Sequence, residues 1–245
     1  MPQISIITRA FNTAALIAET IRSAQVQGFK DWEMVIIDDC SADSTSTVVE
    51  HFCADDPRIR LIRRAEIGGR AACRNQGIAA ANGRYLAFLR TGDLWLPEKL
   101  ERQLALMQQT EAAISYHGYR RFYPNGTIGR VLRGPERVTF DTLLHKNCVL
   151  LSTVMIDQQR TGPIQFDTDL PQRSDLNLWL QLTKSGQDIL FLNDNLARHR
   201  VVRRRKWQYA VTTWRIFRVT ARLTRLQTLL AMLRHTLYGL WKRLY

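Results

Sequence analysis

Acidic residues run out early in this chain: none occurs after Asp194, while residues 196–245 hold 13 Lys and Arg. Residues 1–195 balance 22 basic against 22 acidic side chains, so the formal net charge of +13 belongs to the C-terminal stretch alone. That asymmetry argues against a uniformly basic nucleic-acid-binding domain. Cysteine is scarce as well. Cys40, Cys53, Cys73 and Cys148 form no C-x-x-C and no metal-ligand spacing, so a disulfide scaffold is excluded and reduced thiols are expected. No window approaches 18 apolar residues without charge, which excludes a transmembrane helix. The opening Met-Pro-Gln-Ile-Ser lacks a basic start followed by an apolar stretch, so no signal peptide is expected. Repeats and low-complexity linkers are absent too. What is present, 245 residues at 45% hydrophobic and 23% charged, suits one sizeable domain with or without an appendage.

The first half alternates strands and helices. Ile4–Thr8 predicts a β-branched strand, 13–27 a helix, and Glu33–Asp39 a nearly continuous apolar strand buried on both faces. Ser41–Phe52 reads as a helix, Arg58–Ile62 as a third strand. A Gly68-Gly69 turn opens a helix that Asn82-Gly83 stops. Arg84–Leu89 and Pro97–Gln109 supply a fourth strand and another helix. Repeated strand–helix–strand predicts an α/β fold with a mainly parallel sheet covered by helices. Ligands on such sheets bind beyond the strands' carboxyl ends, here Thr8–Asn12, Asp38-Asp39 and Leu89–Asp93. Residues 112–200 read as short strands and loops broken by Gly, Pro and Asn, with one helix over Leu176–Ser185.

Residues 207–244 carry no Gly or Pro before Gly239 and predict one continuous helix. Ile216, Val219, Leu223, Leu226, Leu230, Leu233, Leu237, Leu240 and Leu244 recur at heptad spacing, with Arg215, Arg218, Arg222 and Arg225 on one flank. Such a basic amphipathic stretch has three open uses: an anionic membrane surface, a partner helix or second copy, or folding back onto the body.

Asp38-Asp39 at a strand end is the clearest chemical signal. Adjacent buried carboxylates require hydrogen-bond donors or a cation, or else simply cap the next helix. Asp93 follows the fourth strand at the same sheet edge. Asp175 opens a helix, where capping alone is an alternative to chemistry. Arg74-Asn75 either reaches a ligand or pairs structurally. His199 is either a site residue or an exposed one in a basic stretch.

Order and spacing decide between these uses. The segments Ile6-Ile7-Thr8-Arg9-Ala10-Phe11-Asn12, Asp31-Trp32-Glu33, Val35 to Thr45, Gly69 to Ile78, Asn82 to Leu89, Asp93 to Leu100 and Arg173 to Leu180 resemble the family 2 glycosyltransferases. The resemblance covers roughly residues 3–200 and is strongest to short bacterial enzymes of capsule, O-antigen or teichuronic-acid-type synthesis. It implies a GT-A (Rossmann-like) fold over 1–200, with a nucleotide-binding half at about 1–110 and an acceptor half at about 111–200. Residues 201–245 form the basic helical tail. It further implies inverting transfer from a nucleotide-diphosphate sugar, UDP-linked, to a lipid-linked or growing glycan, on the cytoplasmic face of the membrane. Gln-x-x-Arg-Trp, the motif of processive synthases, is missing, which favours single-sugar transfer.

By the same resemblance Phe11 stacks on the base and Asp39 accepts its N–H, with Thr8, Asp38, Gly69, Arg74 and Asp93 also toward the nucleotide-sugar. Asp175 matches the catalytic base and Asp93 the metal-site acid, with Mn²⁺ or Mg²⁺ as the expected ion. The match breaks at Phe88-Leu89-Arg90-Thr91-Gly92-Asp93-Leu94-Trp95, where relatives read Phe-Leu-Asp-Ala-Asp-Asp-Leu-Trp: Arg90 and Gly92 replace acids. Arg9 stands in place of a family Pro and Ser174 in place of a Glu or Gln. Three readings stay open: Asp93 holds the ion with water, Arg90 or Arg9 replaces it, or the chain is a weakened relative that still binds nucleotide as a scaffold.

Overall fold

Period-two burial shapes the first strand. β1 (Ile4–Ala10) sends Ile4 and Ile6 into one core and Ile7 into the other. The structure, a computed structural model, describes residues 1–201 and 207–244, with side chains over 1–201 and 209–238. After β1 come α1 (Ala14–Gln25), β2 (Trp32–Asp38), α2 (Thr45–Asp55), β3 (Ile59–Arg63), α3 (Gly69–Ala79) and β4 (Tyr85–Phe88). β2 is buried at every position, the apolar Met34–Ile37 as well as the charged Glu33 and Asp38. These four strands pair in parallel in the order β3-β2-β1-β4. Strand–helix alternation is thus as expected, except that α2 starts at Thr45 and leaves 41–44 as a turn.

The chain continues through β5 (Leu94–Trp95), α4 (Lys99–Thr110), β6 (Ile114–Phe122), β7 (Ile128–Leu132), β8 (Arg137–Val138) and α5 (Phe140–His145). A 3₁₀ turn at Leu151–Thr153 precedes β9 (Met155–Asp157), α6 (Gln158–Thr161), α7 (Ser174–Lys184) and β10 (Ile189–Arg200). The region that reads as irregular instead extends the same sheet, in the order β3-β2-β1-β4-β9-β6-β10-β5, with β7 on β6 and β8 on β10. β10 runs parallel to β6 with two register shifts near Asn195, and β9 runs antiparallel to both its neighbours. Most of the paired register is parallel, because the antiparallel strands β5, β7, β8 and β9 are short.

Helices cover both faces. Ile6, Met34 and Ile36 pack with Ile17 and Ile21 of α1 and Leu100 of α4. Across the sheet, Ile7, Leu86 and Phe88 pack with Leu176, Trp179 and Leu180 of α7. The edge opposite the site is tied by Glu33, which accepts from Ser5 Oγ at 2.7 Å and from the Asn82 N–H at 2.6 Å. Gly83 must be glycine there, since a Cβ would lie 2.7 Å from the Ser5 backbone nitrogen. No disulfide joins the four cysteines.

The tail departs from its sequence pattern. Instead of one helix there are two, α8 (Trp207–Val219) and α9 (Arg225–Leu244), broken where Arg222 takes a left-handed φ of 57°. A reciprocal cap starts α9: Gln227 N–H donates to Thr224 Oγ1 and Thr224 N–H to Gln227 Oε1. The pair folds back onto the body. Ile216 (1% exposed) and Phe217 (0%) join the α7 core, and each apolar side chain so buried stabilises by roughly 1.5–3 kcal/mol. The heptad seam is thereby split. Ile216 points in, whereas Leu226, Leu230, Leu233 and Leu237 of α9 face solvent. Leu240 and Leu244, and the basic run at 203–206, lie outside the described side chains.

Candidate active site

The carboxyl ends of β1 and β2 carry two loops that hold each other. Asn12 N–H donates to Ser41 Oγ at 3.0 Å, and Ala42 N–H to Asn12 Oδ1 at 2.8 Å. Asp38 lies beneath them, accepting from the Ser41 hydroxyl and from Ser46 Oγ at 2.8 Å. Thr8 is fully buried and donates to the Leu89 carbonyl at 2.9 Å, tying β1 to the end of β4. Both side chains are engaged within the fold at the carboxyl edge of the sheet. Asp38 does not cap α2, whose N-cap Ser44 has no side-chain cap bond, but ties Ser41 and Ser46 to the end of β2.

Asp39 occupies a nest of donors. Its carboxylate accepts the Gly68 N–H at 2.8 Å, the Gly69 N–H at 3.1 Å, and Arg9 Nε and Nη2 at 2.8 and 2.5 Å. Arg64 Nε lies 3.5 Å away. Burial alone raises this carboxyl's pKa, but the Gly68 N–H and Arg9 outweigh it and hold it below the usual range. Gly69 has φ +81°, the left-handed region that lets its N–H turn back on the carboxylate. The Arg9 guanidinium lies 4.9 Å from the Phe11 ring centroid. The structure therefore brings Phe11, Asp39 and Gly69 to one place, with Arg9 between them.

From the first two turns of α3, Arg70 and Arg74 line a cavity of ≈ 220 Å³ shared with Arg90, Arg173, Asp175 and His199. Arg74 is buried, donates to Ser174 Oγ at 3.2 Å, and stands 5.0 Å over Phe166. Burial lowers its pKa to about 10 against the opposing pull of Asp175. Neighbouring Asn75 is purely structural, exchanging two hydrogen bonds with the Phe166 backbone. Arg173 precedes α7 with φ 57°, and its Nε and Nη1 are buried with no hydrogen-bond partner among the described residues. Burial depresses its pKa as well. Asp175 follows in the first turn of α7, Oδ1 accepting the Leu176 N–H at 2.9 Å. A half-buried carboxylate among cationic donors is equipped to take a proton while anionic charge develops beside it.

Asp93 is held by partners on both of its oxygens. It is 1% exposed, with Oδ1 accepting from His199 Nδ1 at 2.9 Å and the Arg200 N–H at 3.1 Å. Its Oδ2 accepts from Ser152 Oγ at 2.6 Å, and Arg90 Nη1 lies 3.9 Å away. Gly92 has no side chain to offer a ligand, and no cluster of three His, Cys, Asp or Glu suited to a metal occurs among the described residues. Hard divalent ions at phosphate sites still need one or two free carboxylates. With both Asp93 oxygens taken by protein donors and no second acid at Arg90 or Gly92, the residues present do not fit such an ion. The carboxylate instead orients His199, which is 17% exposed and edge-on to Tyr119, not a surface residue. Arg70 and Tyr209 were not legible as site residues. Arg70 directly follows the Gly68-Gly69 turn, a usable signal, whereas Tyr209 reaches the cavity only because α8 folds back.

Known proteins agree with this architecture. The family model Glycosyl transferase family 2 matches residues 5–159. TuaG of Bacillus subtilis (strain 168), a glycosyltransferase assigned to teichuronic acid biosynthesis, is 37% identical over 91% of this chain and 90% of its own. WfgD of Escherichia coli, a UDP-Glc:alpha-D-GlcNAc-diphosphoundecaprenol beta-1,3-glucosyltransferase, is 32% identical over 75% of this chain and 70% of its own. Among solved structures, S. aureus TarS 1-349 in complex with UDP superposes with a TM-score of 0.72 at 18% identity, over 93% of this chain and 68% of that one. A Pyrobaculum calidifontis mannosyltransferase with GDP-Man and Mn²⁺ gives 0.69 at 17%, over 91% and 65%. With the sheet order, the Asp39 nest and the Asp175 cavity in place, the chain belongs to glycosyltransferase family 2 and has the GT-A fold.

Proposed function

We propose that this enzyme transfers one sugar, with inversion, from a UDP-linked donor to a lipid-linked glycan during bacterial surface-polysaccharide assembly. The observation that carries the reading is Asp175 sharing one cavity with Arg70, Arg74, Arg90 and Arg173. Phe11 and Asp39 form the base end. The donor's diphosphate then lies toward the arginines, whose planar forks match phosphate oxygens. Asp175 takes the proton of the acceptor hydroxyl as its oxygen attacks the anomeric carbon. The bond from that carbon to the diphosphate breaks on the opposite face, and UDP leaves with the electron pair. Arg74, Arg90 and Arg173 stabilise the charge that builds on the leaving oxygen, so no step passes through a metal ion. By what they are named for, WfgD supports the UDP-linked donor and lipid-linked acceptor, and TuaG the surface-polysaccharide setting. The test is turnover of UDP-sugars on a diphosphoundecaprenol-linked acceptor, with and without EDTA. Activity that survives EDTA supports the reading, whereas no UDP binding by calorimetry overturns it.

A non-catalytic, nucleotide-binding scaffold is the competing reading, favoured by the engagement of Asp93 and the loss of acids at Arg90 and Gly92. Turnover that disappears in Asp175→Asn excludes it.

The same reading extends to location. None of the described helices is long and apolar enough to cross a membrane. α9 nevertheless exposes Leu226, Leu229, Leu230, Leu233 and Leu237 on a stretch without acids, the composition of a helix lying on an anionic bilayer. Leu230→Asp with Leu233→Asp should abolish flotation with phosphatidylglycerol vesicles while leaving the melting temperature unchanged. Unaltered flotation, or a shift to a smaller oligomer on sizing, would assign the face elsewhere.

A further inference from the structure

We propose that Arg9 sets the donor affinity of this enzyme by occupying the nucleobase site itself, an inference that rests on Phe11 and Asp39 forming that site. A guanidinium is flat, lies over aromatic rings, and donates N–H groups in its own plane. A pyrimidine base held by an aromatic ring and a carboxylate meets the same description. Arg9 satisfies it here: Nε and Nη2 both donate to Asp39 Oδ2, and the guanidinium carbon stands 4.9 Å from the Phe11 centroid. The other carboxylate oxygen takes the Gly68 N–H at 2.8 Å, and the Asp39 side chain is 0% exposed. A base N–H therefore reaches Asp39 only after Arg9 has left. Departure is open to it, because Arg9 is 20% exposed at the mouth of the nest while Asp39 is fixed from behind by backbone donors.

The consequence is a competition inside one chain. The donor binds only the fraction of molecules whose Arg9 has swung away, and the apparent dissociation constant rises by the inverse of that fraction. Uridine nucleotides should pay this penalty equally, whatever phosphates they carry, since the contest is over the base.

Calorimetry of UDP and UMP binding to the full chain, to Arg9→Ala and to Arg9→Gln tests this. The expected result is a dissociation constant about tenfold lower in both variants, by the same factor for both nucleotides. Arg9→Gln, the smaller lesion, keeps the test usable if Arg9→Ala melts early. Wild-type binding with unchanged or weaker affinity in the variants overturns the inference and leaves the donor site standing. A gain for UDP without one for UMP also overturns it, by placing the effect at the diphosphate. No binding by any of the three proteins overturns the donor-site reading and the inference together.

Discussion

Two arginines at the two ends of the site are in opposite states. Arg9 has its guanidinium on a carboxylate and over a ring, so the proposed base end of the cleft is filled by the protein's own groups. Arg173 lies 5.3 Å from the Tyr209 ring centroid, but two of its buried nitrogens have no hydrogen-bond partner among the described residues, a costly arrangement unless an anion completes it. The difference teaches that cationic side chains of one site need not act alike. One is satisfied by the protein's own groups, and on the proposed reading must be displaced. The other keeps donors open, and on the same reading substrate satisfies them. The same contrast separates the carboxylates: Asp39 and Asp93 have both oxygens engaged, whereas Asp175 shows one accepted bond and faces the cavity.

The largest effect should come from Asp175→Asn. It leaves the cavity's shape intact, so kcat should fall by about 10²–10⁴ while UDP affinity changes little; retained turnover would remove Asp175 from the chemistry. Arg173→Ala should weaken UDP binding by about ten- to a hundredfold, the scale of hydrogen bonds to charged groups, and leave thermal stability equal or higher. Opposite signs for Arg173→Ala and substitutions at Arg9 would sharpen the comparison, and a common sign would break it. Arg90→Asp combined with Gly92→Asp restores the family acids, and donor hydrolysis should rise several-fold and become Mn²⁺-dependent. Gly92 has φ +90°, so the added side chain costs about 1–2 kcal/mol of stability, read as a lower melting temperature. Hydrolysis without metal dependence would show that the missing acids are not what sets the ion requirement.

Much of the first half was legible because its signals are local. The apolar run of β2, the apolar spacing of α1 and the Gly68-Gly69 turn each lie within a dozen residues. β6 and β10 were not legible, since they pair across more than 60 residues of chain and mix Arg, Asn and His with their apolar positions. The break between α8 and α9 had a local signature, Thr224-Arg225-Leu226-Gln227, which the heptad spacing overrode. His199 looked like one more polar residue in a basic stretch until β10 placed it against Asp93.

By itself the sequence determined the family and the strand–helix alternation, and singled out Phe11, Asp39 and Asp175 by resemblance, because ordered motifs survive in one dimension. Only the tertiary structure decided what those residues face. Burial and hydrogen-bond saturation depend on groups far apart in the chain, such as Arg9 on Asp39, His199 on Asp93 and Tyr209 at the cavity wall. The missing acids of the C-terminal stretch likewise gained their meaning there: the fold turns one face of that stretch into the core and leaves the leucines of the other outside.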